Sequence, residues 1–384
     1  MATSIYRARM ASQTISVIGG LDADLIMIAN RSPDWGESVL ANEYLEALGG
    51  KGANSAIATY RTCHKRPPER SMENRESNES TDGFYSKPSQ GQPPLLTLQQ
   101  SGTNDDYEDD VRVKMVGAVG NDRYGEEFIT ELRNNGVDVS GILTVAHTRT
   151  SVCFVIVDQR TRENKCLFTL GATAAWKKED FMSPEDLGGG VRPDLVVAQM
   201  EIDKEVVEEM IETAAKANID FCLNAAPATP ISEHTYRHIT HLLVNESEAA
   251  TMSGRRRDEV NEATWPTIAQ EFLKRGVRNV VITLGAKGAF YATSEESGHC
   301  LAFDVDVVDT TGAGDTFTGA YAAAYLRQKA KGQWDIKSAV VRSNKAAAMM
   351  IQAMGAQTGI PWGDELDGFD APLKPLEPSL HSNS

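Results

Sequence analysis

At 384 residues, with 41% apolar and 24% charged side chains, the chain has the make-up of an ordinary globular protein and room for one large α/β domain or two smaller ones. Its 38 basic side chains stand against 54 acidic ones, and the resulting charge of −16 excludes general affinity for nucleic acid or an anionic membrane. An anionic substrate must therefore find a local positive site. No apolar run approaches the roughly 18 residues of a membrane-spanning helix, and residues 1–14 lack the apolar stretch of a signal peptide. Cys63, Cys153, Cys166, Cys222 and Cys300 lie far apart, with no C-x-x-C. That usage suits reduced thiols in a cytoplasmic protein, with the nucleus as a second location, rather than disulfides or a zinc site.

In chain order, residues 14–20 form a short β-branched run closed by glycines, read as a buried first strand. Asp22 and Asp24 follow at the end where α/β folds place ligands, and are either ligands or solvated turn carboxylates. Residues 32–42 read as irregular with one short exposed strand. The string G-G-K-G-A-N at 49–54 opens a helix over 53–60. Lys51 in its first turn opposes the helix dipole, so a nearby anion or a closely held polyol has to compensate. Residues 64–110 turn polar and acidic, too poor in apolar surface to offset their ordering entropy, and read as a disordered insertion. A strand at 111–119 and a helix at 121–135 resume the fold. Alternating strands at 150–157 and 165–170 form a hairpin that does not fit a parallel sheet. They predict a small lid sheet, with strands within about 32–45 and 148–172.

Strands at 194–200, 220–225, 241–245, 279–284 and 289–293 then alternate with helices. The fold class is α/β: a doubly wound, mostly parallel sheet with helices on both faces, plus the lid. Several strands end in polar residues, among them Glu201, Asn224, Asn245 and Glu248. Each is either a helix cap or a ligand, and Glu248 suits a magnesium ion held through water. Thr283-Leu284-Gly285-Ala286-Lys287-Gly288 is a glycine-punctuated turn suited to phosphates. His234, His238 and His241 have metal-like spacing but no accompanying glutamate motif, and read as a surface helix. Residues 300–308 read as a strand and 317–326 as a buried helix. Between them Gly312, Ala313, Gly314 and Asp315 set amide hydrogens and a carboxylate at a helix start, fit to hold a phosphoryl group. The domain is expected over 14–362, with 363–384 a flexible tail.

D-T-T-G-A-G-D-T-F at 309–317 resembles the C-terminal signature of the ribokinase (pfkB) family of sugar kinases, and G-G-K-G-A-N its N-terminal one. Shorter blocks at 200–201, 224–228, 245–249, 282–288 and 355–362 fall in the family's order, so the resemblance spans about 15–362 apart from the insertion. It implies ATP-dependent phosphorylation of D-ribose at its primary hydroxyl. In that scheme Asp315 is the base and Gly312, Ala313 and Gly314 form the anion hole. Asp22, Ala23, Asp24, Gly50, Lys51, Gly52, Ala53, Asn54, Glu201 and Asp315 match the sugar-binding positions. Asn245, Thr283 to Gly288, Gly314, Asp315 and Asn344 match the ATP positions, with Mg²⁺ accompanying the nucleotide. Activation by K⁺ is also implied, through Asp309 and Thr311 and through carbonyls at Met350, Ala353, Gly355 and Gly359. The family usually carries Asn where Asp22 stands, often His where Asn344 stands, and often Ser where Gly359 stands. A homodimer through the lid is implied as well. A kinase of another pentose or a nucleoside, and an inactive sugar-binding regulator, are the competing readings.

Overall fold

The computed structural model describes residues 12–68, 111–161 and 164–375. The expected insertion from residue 69 onward, and the tail from 376, lie outside the described residues. β1 (Gln13–Ile18) is a short β-branched run whose Ile15, Val17 and Ile18 are fully buried. It leads through Gly19 and Gly20 into β2 (Asp22–Ala29) and β3 (Glu43–Leu48), and then into α1 (Lys51–Cys63). β4 (Val111–Gly120), α2 (Arg123–Asn134) and β5 (Asp138–Val145) follow, then the hairpin β6 (Ser151–Asp158) and β7 (Asn164–Thr169). The second half alternates: β8 (Leu195–Gln199), α3 (Lys204–Lys216), β9 (Asp220–Asn224), β10 (His241–Asn245), α4 (Glu246–Ser253), α5 (Trp265–Lys274) and β11 (Asn279–Thr283). It ends with β12 (Ala289–Ala292), β13 (Ser297–Cys300), α6 (Ala313–Ala330), α7 (Ile336–Met350) and α8 (Gly363–Gly368).

Among the described residues the strands form two sheets. The larger has nine strands in the order β13-β12-β11-β10-β9-β8-β1-β4-β5, parallel except at β12 and β13. Apolar cores cover both its faces, which is why β4 and β8 are buried along nearly their whole length. On one face Val207 and Ile211 of α3 and Ile268 and Phe272 of α5 pack on Val196, Leu223 and Ile282. On the other, Ile57 of α1 and Tyr321 of α6 pack on Ile15, Val17, Val197 and Val281. Each such buried side chain contributes about 1.5–3 kcal/mol. α1 and α6 cross through small residues: a Cβ on Gly319 would lie 2.5 Å from the Thr59 nitrogen and 2.7 Å from the Ala58 Cβ. That close crossing brings the first turns of the two helices together.

The smaller sheet is the lid, in the order β3-β2-β6-β7. Here the structure corrects the sequence reading. Residues 32–42 hold no strand; the lid's second pair is β2 and β3, on either side of them. Asp22-Ala-Asp-Leu-Ile-Met-Ile-Ala lacks the alternation that marks a strand, so it was not legible as one. β5 was likewise not anticipated. The strand expected over 300–308 ends at Cys300; beyond it Phe303 makes an isolated bridge with Leu373. The tail expected to be flexible from 363 begins with α8, whose Leu366 is fully buried.

The histidines do not share a surface helix. His234 and His238 lie on a 3₁₀ turn, 3.9 and 3.7 Å from Glu212. His241 opens β10, fully buried, with Nδ1 3.0 Å from the Tyr321 hydroxyl. Burial holds His241 neutral, its pKa lowered from 6.5 to about 3. The unfolded chain therefore takes up a proton below about pH 6.5 that the native state refuses. Stability is lost as the pH falls from there towards 3, at up to about 1.4 kcal/mol per pH unit. Urea unfolding of His241→Phe beside the native chain is expected to show that component missing from the variant.

Candidate active site

The site grows from two helix starts. At the first, Gly50 caps α1 with φ of 83°, a conformation that side chains resist. A Cβ there would lie 2.6 Å from the Asp22 nitrogen, and one on Gly52 would lie 2.5 Å from the Gly19 carbonyl carbon. The glycines thus let α1 begin against the turn between β1 and β2. The Lys51 N–H donates to Glu201 Oε2 at 2.7 Å. Asp22, Asp24, Lys51 and Glu201 come together there. Ala23 and Ala53 bury their side chains in the core and Gly52 packs on Gly19, so these three offer backbone alone.

At the second, Gly312 caps α6 with φ of 81°, and a Cβ on it would lie 2.7 Å from the Ala356 carbonyl oxygen. The first bond inside the helix runs from Thr316 N–H to Gly312 C=O at 2.9 Å. The N–H groups of Gly314 and Asp315 therefore point out of the helix end, where the dipole is positive. A Cβ on Gly314 would meet no heavy atom within 4 Å. Asp315 itself is buried, and its Oδ2 accepts from Asn54 Nδ2 at 2.9 Å. Asn54 Oδ1 in turn accepts from Gln357 Nε2 at 2.9 Å. Both ends of the Asn54 amide are engaged, and Gln357, which sequence reasoning did not single out, orients it.

The two starts share one electrostatic environment. Burial raises the Asp315 carboxyl above its ordinary value, against the Lys51 charge and the Asn54 bond. Asp315 in turn holds the Lys51 ammonium up against burial, helped by Glu201, Glu248 and Asp22. Burial pushes Asp24 to about 7, with Asp22 adding to it. Burial likewise raises Asp22 and Glu201. One cation thus faces five carboxyl groups, Asp22, Asp24, Glu201, Glu248 and Asp315, all of them raised by burial.

On the neighbouring strand ends, Asn245 and Glu248 form a capping box. Glu248 takes the Asn245 N–H at 2.7 Å and its Nδ2 at 2.8 Å, and donates its own N–H to Asn245 Oδ1 at 2.8 Å. Its charge is nonetheless felt at Lys51. Thr283 ends β11, Leu284 is buried, and Gly285 to Lys287 form an exposed 3₁₀ turn closed by Gly288. Asn344 is buried and its Nδ2 lies 3.3 Å from the carbonyls of Cys300 and Leu301, so its amide braces backbone.

Asp309 accepts from the Thr311 N–H at 3.0 Å, the Thr311 hydroxyl at 2.8 Å and the Gly355 N–H at 2.9 Å. Against partial burial, those bonds hold its carboxyl below the ordinary value and keep it charged. The carbonyl end of α7 lies alongside, with Met350 C=O taking the Ala353 N–H at 3.3 Å. An anionic oxygen beside a helix C-terminus is a hard oxygen set that fits a monovalent cation. Gly359 packs on that carbonyl: a Cβ there would lie 2.2 Å from Met350 O, so this backbone has no room for a serine. Among the described residues no three His, Cys, Asp or Glu form a metal-holding group, and no helix is long and apolar enough to cross a membrane.

Known proteins resemble this chain in sequence and fold. The pfkB family carbohydrate kinase profile matches residues 97–363. Ribokinase from Schizosaccharomyces pombe is 30% identical over 358 residues, covering 92% of this chain and 96% of that one. Deoxyribokinase from Salmonella typhi is 27% identical over 352 residues, covering 90% and 95%. The crystal structure of ribokinase from Thermotoga maritima superposes with a TM-score of 0.69 at 27% identity, covering 93% of this chain and 98% of that one. With a matched profile over most of its length and a relative aligned almost end to end, the chain belongs to the pfkB family of carbohydrate kinases.

Proposed function

We propose that the chain is an ATP-dependent ribokinase, moving the γ-phosphoryl group of ATP to the primary hydroxyl of D-ribose to give ribose 5-phosphate and ADP. One observation carries the reading: buried Asp315 stands at the open end of α6 and shares its electrostatic environment with Lys51, Asp24, Asp22 and Glu201. A base held by Asn54 and raised by burial suits proton removal from an alcohol as it attacks. Of the expected anion hole, the Ala313 N–H is turned to the Thr310 carbonyl at 3.2 Å, so the Gly314 N–H, joined by that of Asp315, faces the charge that spreads over the transferring group. Asp22, Asp24, Lys51 and Glu201 hold the sugar, while Asn245 and the turn from Thr283 to Gly288 receive the nucleotide. Mg²⁺ arrives with ATP, and Glu248 reaches it through water. A bound K⁺ supplies positive charge beside the anion hole. Asp309, Thr311 and the carbonyls near Met350, Ala353, Gly355 and Gly359 would hold it.

Deoxyribokinase is a relative too, so 2-deoxyribose is the first rival acceptor. A nucleoside is less well served. Strand register puts Phe168 on the same lid face as Cys153 and Asp24, and Phe154 on the opposite face, leaving one aromatic ring to stack a base. Phe154 and Leu167, paired across β6 and β7, are exposed and suit a homodimer through the lid. ADP release with ribose, 2-deoxyribose, adenosine and pseudouridine, with and without K⁺, tests the assignment. Ribose is expected to give the highest kcat/KM and K⁺ to raise it. Preference for another acceptor moves the assignment within the family, and ribose binding without ADP release makes the chain a regulator.

A further inference from the structure

The family's usual asparagine is replaced here by Asp22, and the structure shows what the replacement meets. A Cβ built on Gly20 would lie 2.6 Å from Glu201 Oε2 and 3.0 Å from Asp22 Oδ2, so the two carboxyls converge on one point. Ser151 is the register partner of Asp22 in β6. Carboxylates have only acceptors, so two of them aimed at one buried point stay together only with a proton between them. The same Glu201 Oε2 accepts the Lys51 N–H at 2.7 Å, which fixes its place. Around the pair stand Lys51 from α1, Asp315 from α6, Asp24 from β2 and Cys153 from β6. One cation among four carboxyl groups cannot hold all of them ionised in a buried site.

We propose that Asp22 and Glu201 share one proton, and that this proton holds Glu201 in the pose that receives the acceptor, making Asp22 a positioning residue that sets acceptor affinity. The inference rests on the reading of this pocket as the sugar site. While the proton is shared, the pair carries one negative charge and Glu201 stays turned to Lys51. When the proton leaves, two buried carboxylates repel, Glu201 swings away, and a neutral polyol loses an acceptor for its hydroxyls. Transfer, which belongs to Asp315, is not directly touched. An asparagine at 22 supplies a permanent N–H in place of the proton, so Asp22→Asn keeps the pose at every pH.

The test is the KM for D-ribose and kcat, by ADP release, from about pH 6 to about pH 9. The native chain is expected to lose affinity about tenfold per pH unit above the titration of the pair. Asp22→Asn, whatever its absolute KM and kcat, is expected to show a KM that varies by less than about twofold over that range. Asp24→Asn, the rival group, is expected to keep the native KM slope. In parallel, the infrared band of a buried protonated carboxyl is expected in the native chain in heavy water and lost in Asp22→Asn. The proposal is overturned if Asp22→Asn keeps the native slope, if the slope disappears with Asp24 instead, or if the native chain lacks the band. Should no sugar be bound or phosphorylated at any pH, the ribokinase reading fails along with the affinity role. The band then decides the shared proton by itself.

Discussion

Asp315→Asn is expected to lose about 10²- to 10⁴-fold in kcat while binding ATP nearly as well as the native chain. The amide is the same size as the carboxylate, and its oxygen still accepts from Asn54 Nδ2, so the loss lies in chemistry rather than folding. Stability separates the two explanations. The native carboxyl is raised by burial, so it keeps its proton to higher pH than in the unfolded chain. As the pH rises through the unfolded value near 3.9, ionisation lowers native stability, and that loss persists at neutral pH. The amide never ionises. Its thermal midpoint is therefore expected above that of the native chain at neutral pH, with the gap closing in acid. Low turnover together with a lowered midpoint would indicate a damaged fold instead.

Gly314→Ala is the second large effect. Nothing lies within 4 Å of the added Cβ, and Gly314 is not in the left-handed region, so the protein accommodates the methyl group. Alanine in a first helical turn also costs less conformational entropy than glycine, by about 0.5–1 kcal/mol. Stability is expected to hold or rise slightly. The methyl group, however, enters space that nothing in the protein fills, at the helix start where the transferring group would sit. A loss of about 10²- to 10³-fold in kcat is expected, the size seen when one donor to developing charge is removed. Gly312→Ala makes the contrast: its φ of 81° and the Ala356 carbonyl at 2.7 Å mean that stability falls with activity. Melting curves and turnover measured on both variants check this. Native turnover by Gly314→Ala would show that the space beside Gly314 is not the transferring group's.

The parts of the site lying in loops between apolar strands were readable beforehand. G-G-K-G-A-N and D-T-T-G-A-G-D-T-F interrupt clear strand and helix patterns, and their glycines are the residues a close approach demands. The pairing of Asn54 with Asp315 was not readable, because it depends on α1 and α6 crossing through Ala58 and Gly319. Gln357, 303 residues from Asn54 in sequence, becomes a partner only through the fold. β2 was missed because it shows no sustained alternation and opens on two aspartates that read as turn or ligand carboxylates. That omission concealed that Asp22 and Asp24 belong to the lid rather than to the end of a central strand. His241 was read both as the start of a strand at 241–245, which β10 bears out, and as part of a surface helix with His234 and His238, which fails because the chain turns into β10 after His238.

The most direct measurement is phosphorus NMR of a mixture of ATP, Mg²⁺, K⁺ and D-ribose with the native chain and with Asp315→Asn. The native chain is expected to form a ribose 5-phosphomonoester in step with ADP, and the variant to bind ATP and form neither. Ester formation by Asp315→Asn at the native rate, or hydrolysis of ATP by the native chain to ADP and inorganic phosphate with no sugar ester, would contradict the account.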